Sequence, residues 1–249
     1  MTGTLAIVKV TLRQLLGGRR LVVLGLLGLI PGVIVWLTTS NRSPEGVFDV
    51  YHDGGVIATL FLVVMPISSI VLGSAALGDE RRDGTLSFLV VRPLPRSYIT
   101  TAKLIAAWIA AATVSAMSGA FASTAVSIRA SDWSTFVPTI VGLAIGAGCY
   151  TAMFIVLGHL TSKAVLMGLI YLFVWETGIS FAAPALSNVS LFRIGLSAYA
   201  ALVPESQSAL AEPLGAIAPG VGGAVAKLAV LGILAVLTTA ALLRNRDIA

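Results

Sequence analysis

Residues 78–103, Gly78 to Lys103, read GDERRDGTLSFLVVRPLPRSYITTAK and set a compact charged segment between two long apolar runs. In a membrane protein such a segment is a handle held outside the bilayer for a soluble partner. A short helix from Glu80 to Val91 is expected within it. Asp83 and Thr85 are good N-terminal capping residues, Leu86, Phe88, Leu89 and Val90 supply an apolar side, and Pro93 ends the turn.

The rest of the chain explains why this segment stands out. Of 249 residues, 57% are apolar and only 11% charged, and mean hydropathy is +0.97; soluble domains carry about a quarter charged residues. The composition is that of an integral membrane protein. The net charge of +5 does not point to nucleic acid, because the basic residues sit beside apolar runs and are not interleaved with aromatics. Cys149 is the single cysteine, so no disulfide or thiolate metal cluster can form within one chain.

A hydrocarbon core of about 30 Å takes roughly 20 apolar residues in a helix. Six runs qualify: Leu21 to Leu37, Val56 to Leu77, Leu104 to Ile128, Phe136 to Leu160, Ala164 to Ala183, and Gly222 to Leu243. The first is expected to be a retained span, since no small-x-small cleavage pattern follows it. Alternating these six places twelve Lys and Arg on one side and four, Arg42, Arg129, Arg193 and Lys227, on the other. The positive-inside rule then makes both termini and the 79–97 segment cytoplasmic. Within residues 1–20, Leu5, Val8, Leu12 and Leu15 recur at helical spacing opposite Lys9 and Arg13, the pattern of an interfacial amphipathic helix. The 184–221 linker is too long for a turn; Ser190 can cap a short helix running through Tyr199 that Pro204 ends.

Glu80, Gly84-Thr85-Leu86, Leu89, Pro93, Arg96 and Lys103 together resemble the E-x-x-x-G-T-L-x-x-L-x-x-x-P-x-x-R-x(6)-K signature of permease subunits of ABC-2 type transporters. The likeness is closest to the branch of nitrous-oxide-reductase maturation permeases and small drug or antibiotic exporters; Ala102 departs from the Gly that many members carry there. The resemblance implies a single all-α transmembrane domain over 1–249, with six spans, an N-terminal interfacial helix, a cytoplasmic coupling segment and external half-helices before the last span. It implies a dimer with a second copy or a homologue, and two copies of a separate ABC ATPase that bind ATP and magnesium. It also implies export across the inner membrane of a prokaryote. Glu80, Arg81, Asp83, Gly84, Thr85, Leu86, Phe88 and Leu89 would couple to that ATPase, with Glu80 the foremost polar contact. Arg92, Arg96 and Lys103 are expected at lipid headgroups or at the start of the third span.

No G-x-x-x-x-G-K-[ST] loop occurs in the sequence, so this chain is expected to hold no cofactor and to be no enzyme. His52 and His159 lie on different runs and do not make a metal site. A secondary transporter or channel is the alternative, although it commonly shows several intramembrane charges and a repeat. Glu176 is the lone acid deep in a span. It either lines a transport pathway or ties helices together through hydroxyl groups. Small residues on the third run (Ala106, Ala110, Ser115, Gly119, Ala122) and the fourth (Gly142, Gly146, Gly148) are packing signals.

Overall fold

The computed structural model describes residues 2–52, 55–84, 95–182, 189–203, 210 and 219–245. Among these, every regular element is a helix. Helix α1 (Thr2–Leu15) is followed by α2 (Arg19–Thr38), α3 (Pro44–His52) and α4 (Val56–Thr59); a π-helical stretch (Leu60–Val64) carries α4 directly into α5 (Met65–Arg82). Then come α6 (Arg96–Ala130), α7 (Phe136–Leu160) and α8 (Ala164–Ile170), which runs through a second π-helical stretch (Tyr171–Ile179) into α9 (Ser180–Ala182). Helices α10 (Leu191–Leu202) and α11 (Gly220–Asn245) complete the set.

Among the described residues, five helical segments are long and apolar enough to cross a membrane: Arg19–Thr38, Pro44–Arg82, Arg96–Ala130, Phe136–Leu160 and Gly220–Arg244. The expected fifth span is present as a shorter apolar helix, Ala164–Ile179, much of it π-helical. Helix α3 is an addition to the expected elements. Its signals are Pro44 at the first helical position and the Ser43 hydroxyl, which accepts the Gly46 N–H at 3.3 Å.

Helix α7 is the axis of the bundle, with 67% of its apolar window buried against 11% for α11. Glycine makes that packing possible. A methyl group at Gly158 would lie 2.2 Å from the Ser74 carbonyl of α5, and one at Gly146 would lie 2.2 Å from the Met65 sulfur. Helix α2 packs on α6 in the same manner, where the Ser118 hydroxyl donates to the Gly28 carbonyl at 2.6 Å. With no hydrophobic driving force between helices in lipid, such close approach supplies the dispersion and hydrogen bonding that hold them.

The expected helix from Glu80 to Val91 does not begin at Glu80. Glu80, Arg81 and Arg82 form the last turn of α5, and Asp83 is its C-cap, with its N–H donating to the Asp79 carbonyl at 2.9 Å. Gly84 follows at φ +68°, the left-handed conformation that glycine adopts without penalty and that ends a helix. Apolar continuity carries α5 past the end of the hydrophobic run, since charged residues extend a helix once they lie beyond the bilayer core. Thr85, Leu86, Phe88, Leu89, Val90, Arg92 and Pro93 lie outside the described residues, as do 184–188 and Pro204.

Helix α10 confirms a helix after Ser190, but it is a core element. Leu191 through Ala200 are all buried, and Gly195 meets Gly142 of α7 backbone to backbone: a methyl on Gly195 would be 2.7 Å from the Gly142 carbonyl.

Candidate functional site

The ends of α2, α5, α6 and α7 that carry most of the basic residues gather at one end of the bundle, and the last turn of α5 ties them together. Arg20, in the first turn of α2, donates to the Asp79 carboxylate at 2.5 Å, and Arg82 pairs with the other oxygen of the same carboxylate. Arg81 donates to the His159 carbonyl of α7 at 2.8 Å. Lys103 of α6 pairs with Glu80. Four consecutive side chains of α5 therefore engage three other helices or the helix itself.

The Glu80–Lys103 pair is the buried member of this group, with the lysine side chain 1% exposed and the glutamate 13%. Its two partners are the first and last charged residues of the stretch Glu80 to Lys103. The ion pair thus closes the base of the segment that runs between α5 and α6, whose intervening residues include Leu86, Phe88 and Leu89. Of the two places expected for Lys103, lipid headgroups or the start of the third span, the structure has the second: Lys103 lies in the first turns of α6 and faces inward, on the side of the buried Ile99, Ala106 and Ala107. Glu80 likewise spends one oxygen on Lys103, while Asp83 and Gly84 are exposed. Asp79 and Arg20 carry no signal in the sequence that marks them as a pair. No local spacing could have joined them, since they are 59 residues apart.

A second polar centre lies inside the bundle. Glu176, in the middle of the π-helical stretch, is completely buried. Its Oε1 accepts from the Tyr150 hydroxyl at 3.0 Å, the Tyr171 hydroxyl at 2.8 Å and the Leu191 N–H at 2.8 Å. Its Oε2 accepts from the Ser190 hydroxyl at 2.5 Å. Ser190 makes no side-chain cap for its own helix; the carboxylate of Glu176 replaces it and satisfies the first N–H of α10 from across the bundle. Four donors hold one carboxylate, and the positive charge of Arg193, on α10, also acts on it. The centre joins α7, the π-helical stretch and α10. Tyr171 lies five residues from Glu176, which in an α-helix would turn it about 140° away; the i→i+5 pattern of a π-helix narrows that angle.

Nearby, His52 Nε2 lies 2.7 Å from the Tyr199 hydroxyl, and the Tyr51 and Thr139 hydroxyls are 2.8 Å apart. These bonds fasten α3 to α10 and α7. An open apolar groove of about 530 Å³ lies between α6, α7 and α11, with Leu104, Trp108, Ala152, Leu228 and Ile233 on its walls. Among the described residues, no group of three His, Cys, Asp or Glu could hold a metal ion.

Residues 19–198 match the family described as ABC-2 family transporter protein, a range that covers more than half of the chain and contains both polar centres. No curated protein matches the sequence.

Proposed function

This chain belongs to the ABC-2 family of transporter proteins and is a multi-pass permease of an ABC transporter; we propose that a separate ABC ATPase drives it to export a hydrophobic or amphipathic substrate. The observation that carries the reading is the last turn of α5, which directly precedes the segment bearing Leu86, Phe88 and Leu89 in the chain and is tied to α2, α6 and α7. A push on that segment by a docked ATPase would reach four helices at once. The sequence has no phosphate-binding loop of its own, which fits an energy source on another chain.

In this reading the chain spans the membrane six times, with the helix from Ala164 as the fifth crossing, and both termini lie on the cytoplasmic side of a prokaryotic inner membrane. Two permeases, identical or homologous, work with two ATPases. ATP binding draws the ATPases together, and the permease exchanges inward-open and outward-open states by a shift in their relative stability. Glu80 and Arg81 act in coupling through the helices they clamp. Leu86, Phe88 and Leu89 supply the docking surface, with Asp83, Gly84 and Thr85 setting the turn before it. The apolar groove between α6, α7 and α11 suits a hydrophobic cargo. Kinship with the nitrous-oxide-reductase maturation permeases and small drug or antibiotic exporters rests on the signature alone.

Replacing Phe88 and Leu89 together by Asp tests the proposal. The variant should insert in the membrane normally and lose co-purification with the co-expressed ABC ATPase. Undiminished co-purification would remove the docking role from this segment.

A further inference from the structure

At the basic end, Arg20 of α2 and Arg82 of α5 share the single carboxylate of Asp79, so the three groups together keep one positive charge. Both guanidinium groups also line a cavity of about 200 Å³. Their side chains are 42% and 54% exposed, which leaves N–H groups available to a ligand. Across the cavity, the loop between α7 and α8 contributes Thr161 and Ser162, and Val71 and Val165 form an apolar wall. A planar guanidinium fork matches two oxygens of a phosphate, and a second arginine with nearby hydroxyls matches the others.

The position of the cavity selects the source of that phosphate. It sits where α2 begins and α5 ends, at the headgroup level of the basic leaflet. Immediately along the chain, Val22 and Val23 after Arg20 and Leu166 after Val165 expose apolar side chains. A soluble anion has no use for such a wall, whereas acyl chains do. The nearby Asp83 also acts on Arg20 and brings the formal charge of Arg20, Arg82, Asp79 and Asp83 to zero, while the exposed Arg19 beside Arg20 and Lys163 beside Ser162 in the chain keep this end positive.

We propose that this cavity binds the phosphodiester headgroup of an anionic phospholipid, held between Arg20, Arg82 and the Thr161-Ser162 loop, and so fastens the α2–α5 junction to the leaflet. Basic pockets between helices are the general form of such sites. The reading does not depend on the ATPase partner.

The test uses the full chain in an uncharged detergent, with dioctanoyl phosphatidylglycerol as probe and dioctanoyl phosphatidylcholine and glycerol phosphate as comparators, read by native mass spectrometry. The phosphatidylglycerol should bind about tenfold more tightly than either comparator. Arg82→Gln should weaken it about tenfold, and Asp79→Asn, which frees both guanidinium groups, should strengthen it. Ser162→Asp adds a negative charge at an exposed loop position that holds no helix in place, and it should abolish binding in a fully folded protein. Equal binding of phosphatidylcholine or of glycerol phosphate would overturn the proposal, as would undiminished affinity in Ser162→Asp or weaker affinity in Asp79→Asn.

Discussion

The basic end of this bundle and its interior hold their helices by opposite means. At the basic end, charge meets charge: Asp79 with Arg20 and Arg82, both partly exposed, and Glu80 with the buried Lys103. In the interior, one buried carboxylate is held by two tyrosines, a serine and a backbone N–H. Exposed ion pairs are weak and exchange partners at little cost. A buried carboxylate with every donor aimed at it has nowhere else to go. The contrast gives a bundle with a fixed interior and a basic end at which the Asp79 pairs can exchange partners while the buried Glu80–Lys103 pair stays.

Glu176 offers the most severe test of that contrast. Glu176→Leu leaves two tyrosine hydroxyls, Ser190 and the first N–H of α10 without their acceptor and should cost about 3–5 kcal/mol, read as a large fall in the melting temperature of the purified protein. Glu176→Gln retains an acceptor for α10 and should cost about 1–2 kcal/mol, because the bonds lose their charge assistance. If the glutamine variant is stable yet transports poorly, the carboxylate serves the pathway as well as the packing. If both variants match wild type in stability, the interior is not held by Glu176.

Lys103 tests the boundary between the two kinds of contact. Lys103→Met strands Glu80 and should destabilise by about 3 kcal/mol, and adding Glu80→Gln should recover most of the loss. Without recovery in the double variant, the pair is not what closes the base of the segment. The smallest effect is expected at Arg20. Arg20→Ala removes a partly exposed pair and should change stability by less than about 1 kcal/mol, with the effect screened further by salt. A loss comparable to that of Glu176→Leu would erase the distinction between the basic end and the interior.

Much of the helical layout is legible in the amino-acid sequence. Apolar run length places three long helices within two residues of where they lie, Leu21–Leu37 against Arg19–Thr38, Phe136–Leu160 unchanged and Gly222–Leu243 against Gly220–Asn245, while the helices flanking the charged segment extend beyond their apolar runs, to Arg82 and back to Arg96. The helix after Ser190 is legible too. Periodicity and length are local quantities, so a local reading recovers them. Glu176 announces itself because a lone acid in an apolar run is costly wherever the run goes. Its partners do not. Tyr150 belongs to another helix, and Tyr171 reaches the carboxylate only because the helix there adopts π geometry.

Composition and apolar run length are thus enough to make this chain a helical membrane protein and to mark its long apolar helices. They suffice because a bilayer tests each segment almost independently for apolar length. Tertiary packing was needed to turn Glu80 inward to Lys103, to join α2 to α5 through Asp79, and to make Glu176 cap a helix whose own serine does not. Those pairings link residues from 14 to 59 positions apart. They exist only once glycine-lined helices have closed to contact, because a polar side chain in a bundle is satisfied by whatever packing brings within its reach.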